Sequence, residues 1–348
     1  YLDVLAVSIA CDIVDMSGEN RILAFWGIQQ LNTRPRVGLK VLLEKAFERN
    51  PKTAYDISDV VFYVGPRINA AGRLDHAYGA VNLLLEQDLE KAREFAGSLH
   101  QTNEARKEFE LETTREAIAQ CEADPQFSDR RSTVVFGENW NKGVIGIVAS
   151  RLVETFYRPT IVLCKSGDKI SGSARSVNGF DIHSAIEACE EHLAQFGGHT
   201  HAAGLVLRPE QVNGFKEAFD QVVKGRISEE SLVPVITYDI PLPLSSVSEG
   251  FVKKMNQMAP FGPGNMNPVF VAQRVRDTGM PKVYGEHLSM NFYVQDGIVG
   301  AMAFSQAKYY DAVKQGKLFD ICYHIDWTEF NGKFRMQLRI LDMKPSTT

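Results

Sequence analysis

The sequence predicts an α/β protein in four parts: a mainly helical N-terminal part, one long connecting helix, an α/β layer domain and an all-β barrel. Three observations carry this. Residues 88–123 contain no Pro and only one Gly, Gly97, which predicts a single long helix. Residues 126–230 alternate strand-like and helix-like patterns, as stacked α/β layers do. After Leu232, short β-forming segments recur between turn signals, which predicts a small barrel of the OB type. At 348 residues the chain has room for about two or three domains. The boundaries fall at 1–87, 88–125, 126–231 and 232–348.

Taken in order, residues 2–10 fit a buried strand or a core helix, which ends at Asp12 and the polar turn Ser17-Gly18-Glu19-Asn20. Two short helices follow within 21–49, separated by Pro35. Val60–Val64 is an apolar run before an expected loop at Gly65-Pro66-Arg67, and Ala77–Leu85 has helical spacing. The long helix, carrying many charges, is expected to be mostly exposed and to bridge two lobes. Beyond Pro125, strands are expected at 134–136, 160–164, 169–174 and 202–207, and helices at 143–157, 181–196 and 210–224. The last part carries expected strands at 235–240, 269–275, 288–294, 298–304, 318–325 and 334–340, with one helix over 249–258.

Composition excludes several classes. With 44% apolar and 23% charged residues, the chain is neither collagenous nor disordered. No run approaches the roughly 18 apolar residues of a membrane span, so no membrane role is expected. The formal charge of −5 gives no global basic field. Residues 1–125 hold 14 basic against 20 acidic residues, 126–231 hold 12 against 13, and 232–348 hold 12 against 10. The last part is therefore best disposed towards a polyanion. The five cysteines form no CxxC pair, which points to reduced thiols and a cytoplasmic setting. The chain opens at Tyr1 inside an apolar run, so a fragment is expected whose missing N-terminal part packs against this segment.

Four segments could carry chemistry. Asp12, after an apolar run, could bind a hard cation such as magnesium or manganese, which prefer oxygen ligands. One carboxylate makes no site, so the residues alone favour a turn cap. In Gly65-Pro66-Arg67-Ile68-Asn69-Ala70-Ala71-Gly72-Arg73, two arginines bracket small residues. Guanidinium forks match phosphate, but ordinary ion pairs at a helix start are an equal alternative. Ser171-Gly172-Ser173-Ala174-Arg175-Ser176 gathers hydroxyls and an arginine that could grip a terminal phosphate, or it is a polar strand end. Gly197-Gly198-His199-Thr200-His201-Ala202-Ala203-Gly204 is either a compact ligand-facing loop or a helix cap with surface histidines. A zinc site at His199 and His201 lacks further ligands, and a serine hydrolase at Ser173 lacks the Gly-x-Ser-x-Gly context.

These segments, in this order, resemble the RecJ-type single-strand-specific exonucleases of the DHH phosphoesterase superfamily. Cys11-Asp12-Ile13-Val14 with Ser17–Arg21 is similar to the last metal motif of the DHH domain. Pro66–Arg73 is the string most specific to the family. Gly143–Arg151, Ser171–Ser176 and Gly198–Gly204 resemble the DHH-associated domain, and Ala259-Pro260-Phe261-Gly262-Pro263-Gly264-Asn265 resembles the entry to the OB domain. The Asp-His-His motif that names the superfamily is absent, and His76 is no substitute. The resemblance implies a metal-dependent 5′→3′ exonuclease of DNA repair and recombination, using manganese or magnesium in a two-metal site supplied mostly by the missing part. This chain alone would then be inactive. Asp12 would bind metal. Arg67, Asn69, Arg73, Ser173, Arg175, Ser176, Gly197, Gly198 and His199 would hold phosphate and substrate.

The barrel would track the unpaired strand through Lys282, Tyr284, His287, Phe292, Tyr293, Trp327 and Phe330, about half of which should face the core instead. Single-strand-binding proteins or helicases are conceivable partners that the sequence does not identify. Two other functions compete. One is a DHH phosphodiesterase for short oligonucleotides or cyclic dinucleotides, whose relatives generally lack the barrel. The other is a non-enzymatic single-strand-binding module.

Overall fold

The computed structural model describes residues 1–74, 76–330 and 333–347, without the side chains of 328–330, 333 and 334. They form two compact units, Tyr1–Gly65 with Val235–Thr348, and Pro66–Pro234.

The first segment is helical. The N-terminal apolar run is helix α1 (Leu2–Cys11), followed by α2 (Gly18–Thr33), α3 (Val37–Ala46) and the single turn α4 (Ile57–Asp59). Gly27 lets α2 cross close over α1, because a Cβ there would lie 2.3 Å from the Leu2 carbonyl oxygen. Buried Asp3 is clamped by Arg36, whose Nε lies 3.2 Å from Oδ2 and whose amide donates to the same oxygen at 3.0 Å. Val60–Val64 is a π-helical stretch that leads without a break into α5 (Gly65–Leu74). The loop expected at Gly65-Pro66-Arg67 is therefore helix. Pro66, which has no N–H to donate, falls directly after the π-helical turn, where the regular α-helical ladder is already interrupted.

In the second unit, α6 (Tyr78–Leu85) precedes α7 (Leu89–Ala123), capped by Asp88, whose carboxylate accepts from the Lys91 amide. The remaining elements are β1 (Thr133–Gly137), α8 (Ile145–Phe156), β2 (Thr160–Ser166), β3 (Lys169–Arg175), α9 (Ile182–Glu187), β4 (Leu193–His199), β5 (Ala202–Leu207) and α10 (Val212–Arg226). The sheet order is β1-β2-β3-β5-β4, with β1 and β2 parallel and the other pairs antiparallel. One face packs Ile161, Leu163, Ile170, Ala174, Leu205 and Leu207 against Phe215 and Phe219 of α10. The other packs Val135 and Val162 against Val148 and Leu152 of α8, with Ala117 and Cys121 of α7.

Two expectations need correction. The helix expected over 181–196 ends at Glu187, and Leu193–His199 is an edge strand paired with β5. Most of β4 is exposed, so no alternation marks it in the sequence. The long helix is not merely a solvated rod, since Ala92, Ala96, Leu99, Ala117 and Cys121 are buried along it.

The chain then returns to the first unit. It forms β6 (Ile240–Pro241), α11 (Glu249–Met255), β7 (Phe270–Val275), β8 (Lys282–Tyr284), β9 (His287–Val294), β10 (Gly297–Ala303), α12 (Tyr310–Lys314), β11 (Phe319–Phe330) and β12 (Lys333–Pro345). The strand order is β6-β7-β11-β12-β10-β9-β8. Its core holds Phe270, Leu288, Met290, Val299, Ile321, Tyr323, Leu338 and Ile340. The strand expected at 235–240 reduces to the two-residue β6, and β8 is an addition. All five cysteines are free thiols. Among the described residues no helix is long and apolar enough to cross a membrane.

One buried carboxylate ties α10 to the start of β1. Asp220 Oδ1 accepts from the amides of Arg131 (2.9 Å) and Ser132 (3.0 Å) and from the Ser132 hydroxyl (2.9 Å), while Oδ2 lies 2.8 Å from Lys224 Nζ. Burial pushes its carboxyl up, but Lys224, Ser132 and the two amides outweigh burial and hold it below the ordinary range. The folded value thus lies below the unfolded one of about 3.9. The stabilisation is complete above that pH and is lost as pH falls through the folded value. Asp220→Ala should cost about 3 kcal/mol at pH 7 in urea unfolding, because it strands a buried set of donors. The gap between wild type and variant should narrow below about pH 4.

Candidate functional site

Side chains alternate along a strand, and residues directly opposite on neighbouring strands share a face. Ile170 and Ala174 of β3 enter the α10-side core, so Ser171, Ser173 and Arg175 lie on the face that α8 covers. Register carries that face outward to the sheet edge. Ser173 is opposite Gly204, which is opposite Gly197; Arg175 is opposite Ala202, which is opposite His199. The two rows make a shallow polar strip of hydroxyl, guanidinium, imidazole and bare backbone. Nothing lies within 4 Å of a Cβ built on Gly197, and only the Gly172 carbonyl oxygen, at 4.0 Å, faces one on Gly204. The strip is open above both glycines.

The first turn of α8 closes one side. A Cβ on Gly146 would meet Arg175 Nη2 and Ser173 Oγ, each at 3.1 Å. Val144, the residue before the helix, offers no side-chain cap, so the positive end of the helix faces the same place. The turn into α8 is held by Asn141, whose Oδ1 accepts from the Gly143 amide at 2.7 Å. Arg73, at the end of α5, donates to the Gly143 carbonyl at 3.3 Å. Gly143 must be glycine, since a Cβ would lie 2.2 Å from the Arg73 carbonyl oxygen. Sequence reasoning proposed no role for Gly143 or Gly146 individually. Their signal was small residues at the start of an otherwise β-branched amphipathic helix.

The electrostatics of this corner are lopsided. Burial, then the like charge of Arg73, pulls Arg175 below the ordinary arginine range. Packing around Arg73 and the charge of Arg106 pull it down as well, with Glu110 pulling back. Arg175 Nη1 donates to Ser173 Oγ at 3.2 Å and to the Ala174 carbonyl at 2.8 Å, which fixes the fork. Clustered guanidiniums beside a helix N-terminus are an arrangement that an anion relieves.

The other expected residues divide. Arg67 is only 5% exposed, so between the two arginines of that segment Arg73 is the one open to a ligand. Asn69 is exposed on α5. The Ser176 hydroxyl donates to the Phe180 carbonyl at 2.7 Å and its amide to the His201 carbonyl at 3.0 Å. Ser176 therefore braces the hairpin tip. Gly198 has φ +155°, and a Cβ there would lie 2.4 Å from the Ala202 carbonyl oxygen, so glycine is required. His199 and His201 are exposed beside it.

In the first unit, Asp12 is exposed at the C-terminus of α1, after a helix rather than a strand. Ile13 follows in left-handed backbone at φ 54°, a strained conformation for a β-branched residue. The loop from the OB part braces this segment. The Met16 amide donates to the Pro263 carbonyl, and Arg21 donates to the carbonyls of Gln257, Met258 and Ala259. Among the described residues no group of three or more His, Cys, Asp or Glu gathers to hold a metal ion. A single exposed carboxylate does not fit a complete metal site.

On the OB part, parity corrects one expectation. Leu288, Met290 and Phe292 alternate into the core, and Phe292, 2% exposed, cannot stack on a base. Trp327 packs partly against the same core. Tyr293, 70% exposed, faces outward opposite exposed Ile298. Lys282 and Tyr284 of β8 are exposed. His287 is half-buried, stacked edge-on against Phe304 at 5.1 Å, and its Nδ1 accepts from the Ser305 amide. The Phe330 side chain lies outside the described residues.

Two family models match parts of this chain. Residues 130–225 match the DHHA1 domain and 238–342 the RecJ OB domain. The chain is 32% identical over 352 residues to the single-stranded-DNA-specific exonuclease RecJ of Bacillus subtilis (strain 168), covering 98% of this chain and 43% of that protein. It is 32% identical over 359 residues to the enzyme of the same name from Escherichia coli (strain K12), covering 99% and 61%. The crystal structure of RecJ in complex with Mn2+ from Thermus thermophilus superposes with a TM-score of 0.82 at 26% identity, over 100% of this chain and 50% of that one. The corresponding Mg2+ complex gives 0.81. The chain thus spans about half the length of the relatives it matches.

The arginine corner makes a direct prediction. Inorganic phosphate at constant ionic strength should raise the thermal midpoint of the wild-type chain, since a ligand that binds only the folded state stabilises it. In Arg175→Gln that rise should be absent. An equal rise in both proteins, measured by scanning calorimetry, would remove the corner as an anion site.

Proposed function

The chain belongs to the RecJ family, and from that premise we propose that it forms the strand-holding part of a 5′→3′ single-stranded-DNA exonuclease. The observation that carries this is the convergence of Arg73, Ser173 and Arg175 at the first turn of α8, beside the open strip of Gly204, Gly197 and His199. The two arginines hold the terminal 5′ phosphate, and the Ser173 hydroxyl adds a further hydrogen bond. His199 faces the first nucleotide, which lies over the bare glycine backbone. Lys282, Tyr284 and Tyr293 of the OB part take the strand further from its end by charge and stacking. The RecJ OB match supports a long single strand over a dinucleotide as substrate.

Manganese or magnesium, bound by the longer protein, would supply the activated water and the charge that stabilises in-line displacement. Asp12 would contribute one ligand, and the rest of the longer protein would supply the others. In this chain, Ile13 in left-handed backbone sets the turn after Asp12, and Arg21 ties the start of α2 to the Met258 carbonyl. The setting we assign is DNA repair and recombination.

The test compares a 5′-phosphorylated with a 5′-hydroxyl single strand, using this chain with Mn2+. It should bind the phosphorylated end more tightly and degrade neither. Arg175→Ala should lose the preference, a fall of about tenfold or more for a charge-assisted contact. Tyr293→Ala should weaken both ends equally. Sustained release of mononucleotides by this chain alone, or identical affinity for the two ends, would refute the assignment. In the full-length protein, Asp12→Ala should abolish hydrolysis while leaving the preference in place.

A further inference from the structure

The buried stripe of α7 runs through positions 92, 96, 99, 103, 106, 110, 113, 117 and 121, steps of four and three that keep one helix face inward. At both ends the stripe is apolar: Ala92, Ala96 and Leu99, then Ala117 and Cys121. In the middle it is Asn103, Arg106, Glu110 and Thr113. Asn103 is fully buried, and the Arg106 and Glu110 side chains are only 11% and 14% exposed.

Structural pairing accounts for only part of this. Arg106 Nη1 meets Glu110 Oε2 at 2.6 Å, and the other Glu110 oxygen meets Arg151 Nε of α8 at 3.2 Å. Yet neither the amide oxygen nor the amide nitrogen of Asn103 has a hydrogen-bond partner among the described residues, and nor does Arg106 Nε. Buried polar atoms left in this state are costly, and an apolar residue of similar size would serve packing better. Arg106 is also close enough to Arg73 for their like charges to act on each other. Glu110, divided between Arg106 and Arg151, ties this stretch of α7 to α8, whose first turn meets Ser173 and Arg175, and Arg73 feels the charges of both Arg106 and Arg175.

We infer that α7 supplies a third wall of the phosphate site. In it, Arg106 is a further phosphate-binding residue held by Glu110, and Asn103, fully buried one turn back on the same face, is a positioning residue behind it. This rests on the 5′-phosphate reading of Arg73, Ser173 and Arg175 and deepens it. A terminal phosphate monoester carries nearly two charges near neutral pH, whereas an internal diester carries one. A third guanidinium therefore favours the end of the strand over its interior. α7 is on this view part of the device that reads the 5′ end.

The measurement is the ratio of affinities of this chain for a 5′-phosphorylated and a 5′-hydroxyl single strand of the same sequence. Arg106→Gln should lower the ratio about tenfold. Arg106→Lys, which keeps the charge but not the fork, should fall between. Asn103→Leu should raise the thermal midpoint, by removing an unpaired buried amide, while lowering the ratio. It therefore remains informative if Arg106→Gln fails to fold. A ratio that Arg175→Ala abolishes but Arg106→Gln and Asn103→Leu leave intact would overturn this inference alone. Equal wild-type affinity for the two ends would overturn the phosphate reading with it.

Discussion

Because strand side chains alternate, the burial of Ile170 and Ala174 beneath α10 fixes Ser173 and Arg175 on the opposite face, where α8 begins. A one-residue slip of β3 against β2 and β5 would exchange the two sets, burying the guanidinium and exposing the core. The register is pinned by apolar packing, and the polar strip inherits its precision from that packing. Asp220 works to the same end from the sheet margin, holding the start of β1 to α10 by hydrogen bonds that neither element makes alone.

A strip of this kind needs restraint in its side chains as much as it needs charge. Gly197 and Gly204 leave backbone bare where a larger residue would be accepted by the fold. Strands ordinarily disfavour glycine, which packs nothing and loses more entropy on folding. Its placement opposite Ser173 in two successive strands is hard to ascribe to folding. The pair leaves the strip open in the row beside Arg175. Gly143 and Gly198 are of another kind, since a Cβ at either would strike backbone within 2.4 Å. They shape the turns that bring α8 and the β4–β5 hairpin to the strip.

Much of this was legible in the sequence, and the failures have physical causes. The amphipathic patterns of α8 and α10 and the breaker-free run of α7 announce their helices, since burial on one face leaves a period. The run Val60–Val64 does not, because five consecutive apolar residues look the same in a buried strand and a buried helix. The edge strand β4 was hidden for the opposite reason: with little of it buried, nothing alternates, and Gly197-Gly198 looks like the end of a helix. Ser173, Arg175 and His199 could be named from their residue types. Their alignment in two rows depends on register, which a single sequence does not print. Parity likewise separates Phe292, inside, from Tyr293, outside.

The polar centre of α7 shows why composition misleads. A helix with so many charges suggests a solvated rod, yet its inward stripe keeps step through Asn103, Arg106 and Glu110. The step was there to be found at spacings of three and four, had polar residues been admitted to the stripe. Apolar periodicity identifies faces built of apolar residues, and it cannot see a buried face whose residues are polar. The two kinds meet on one helix here. Ala117 and Cys121 anchor α7 beside α8, and that anchorage lets a destabilising polar stretch persist a few turns away. Stability is concentrated in the apolar contacts at the ends of the stripe, and the Arg106–Glu110 pair and the unsatisfied amide of Asn103 are held between them.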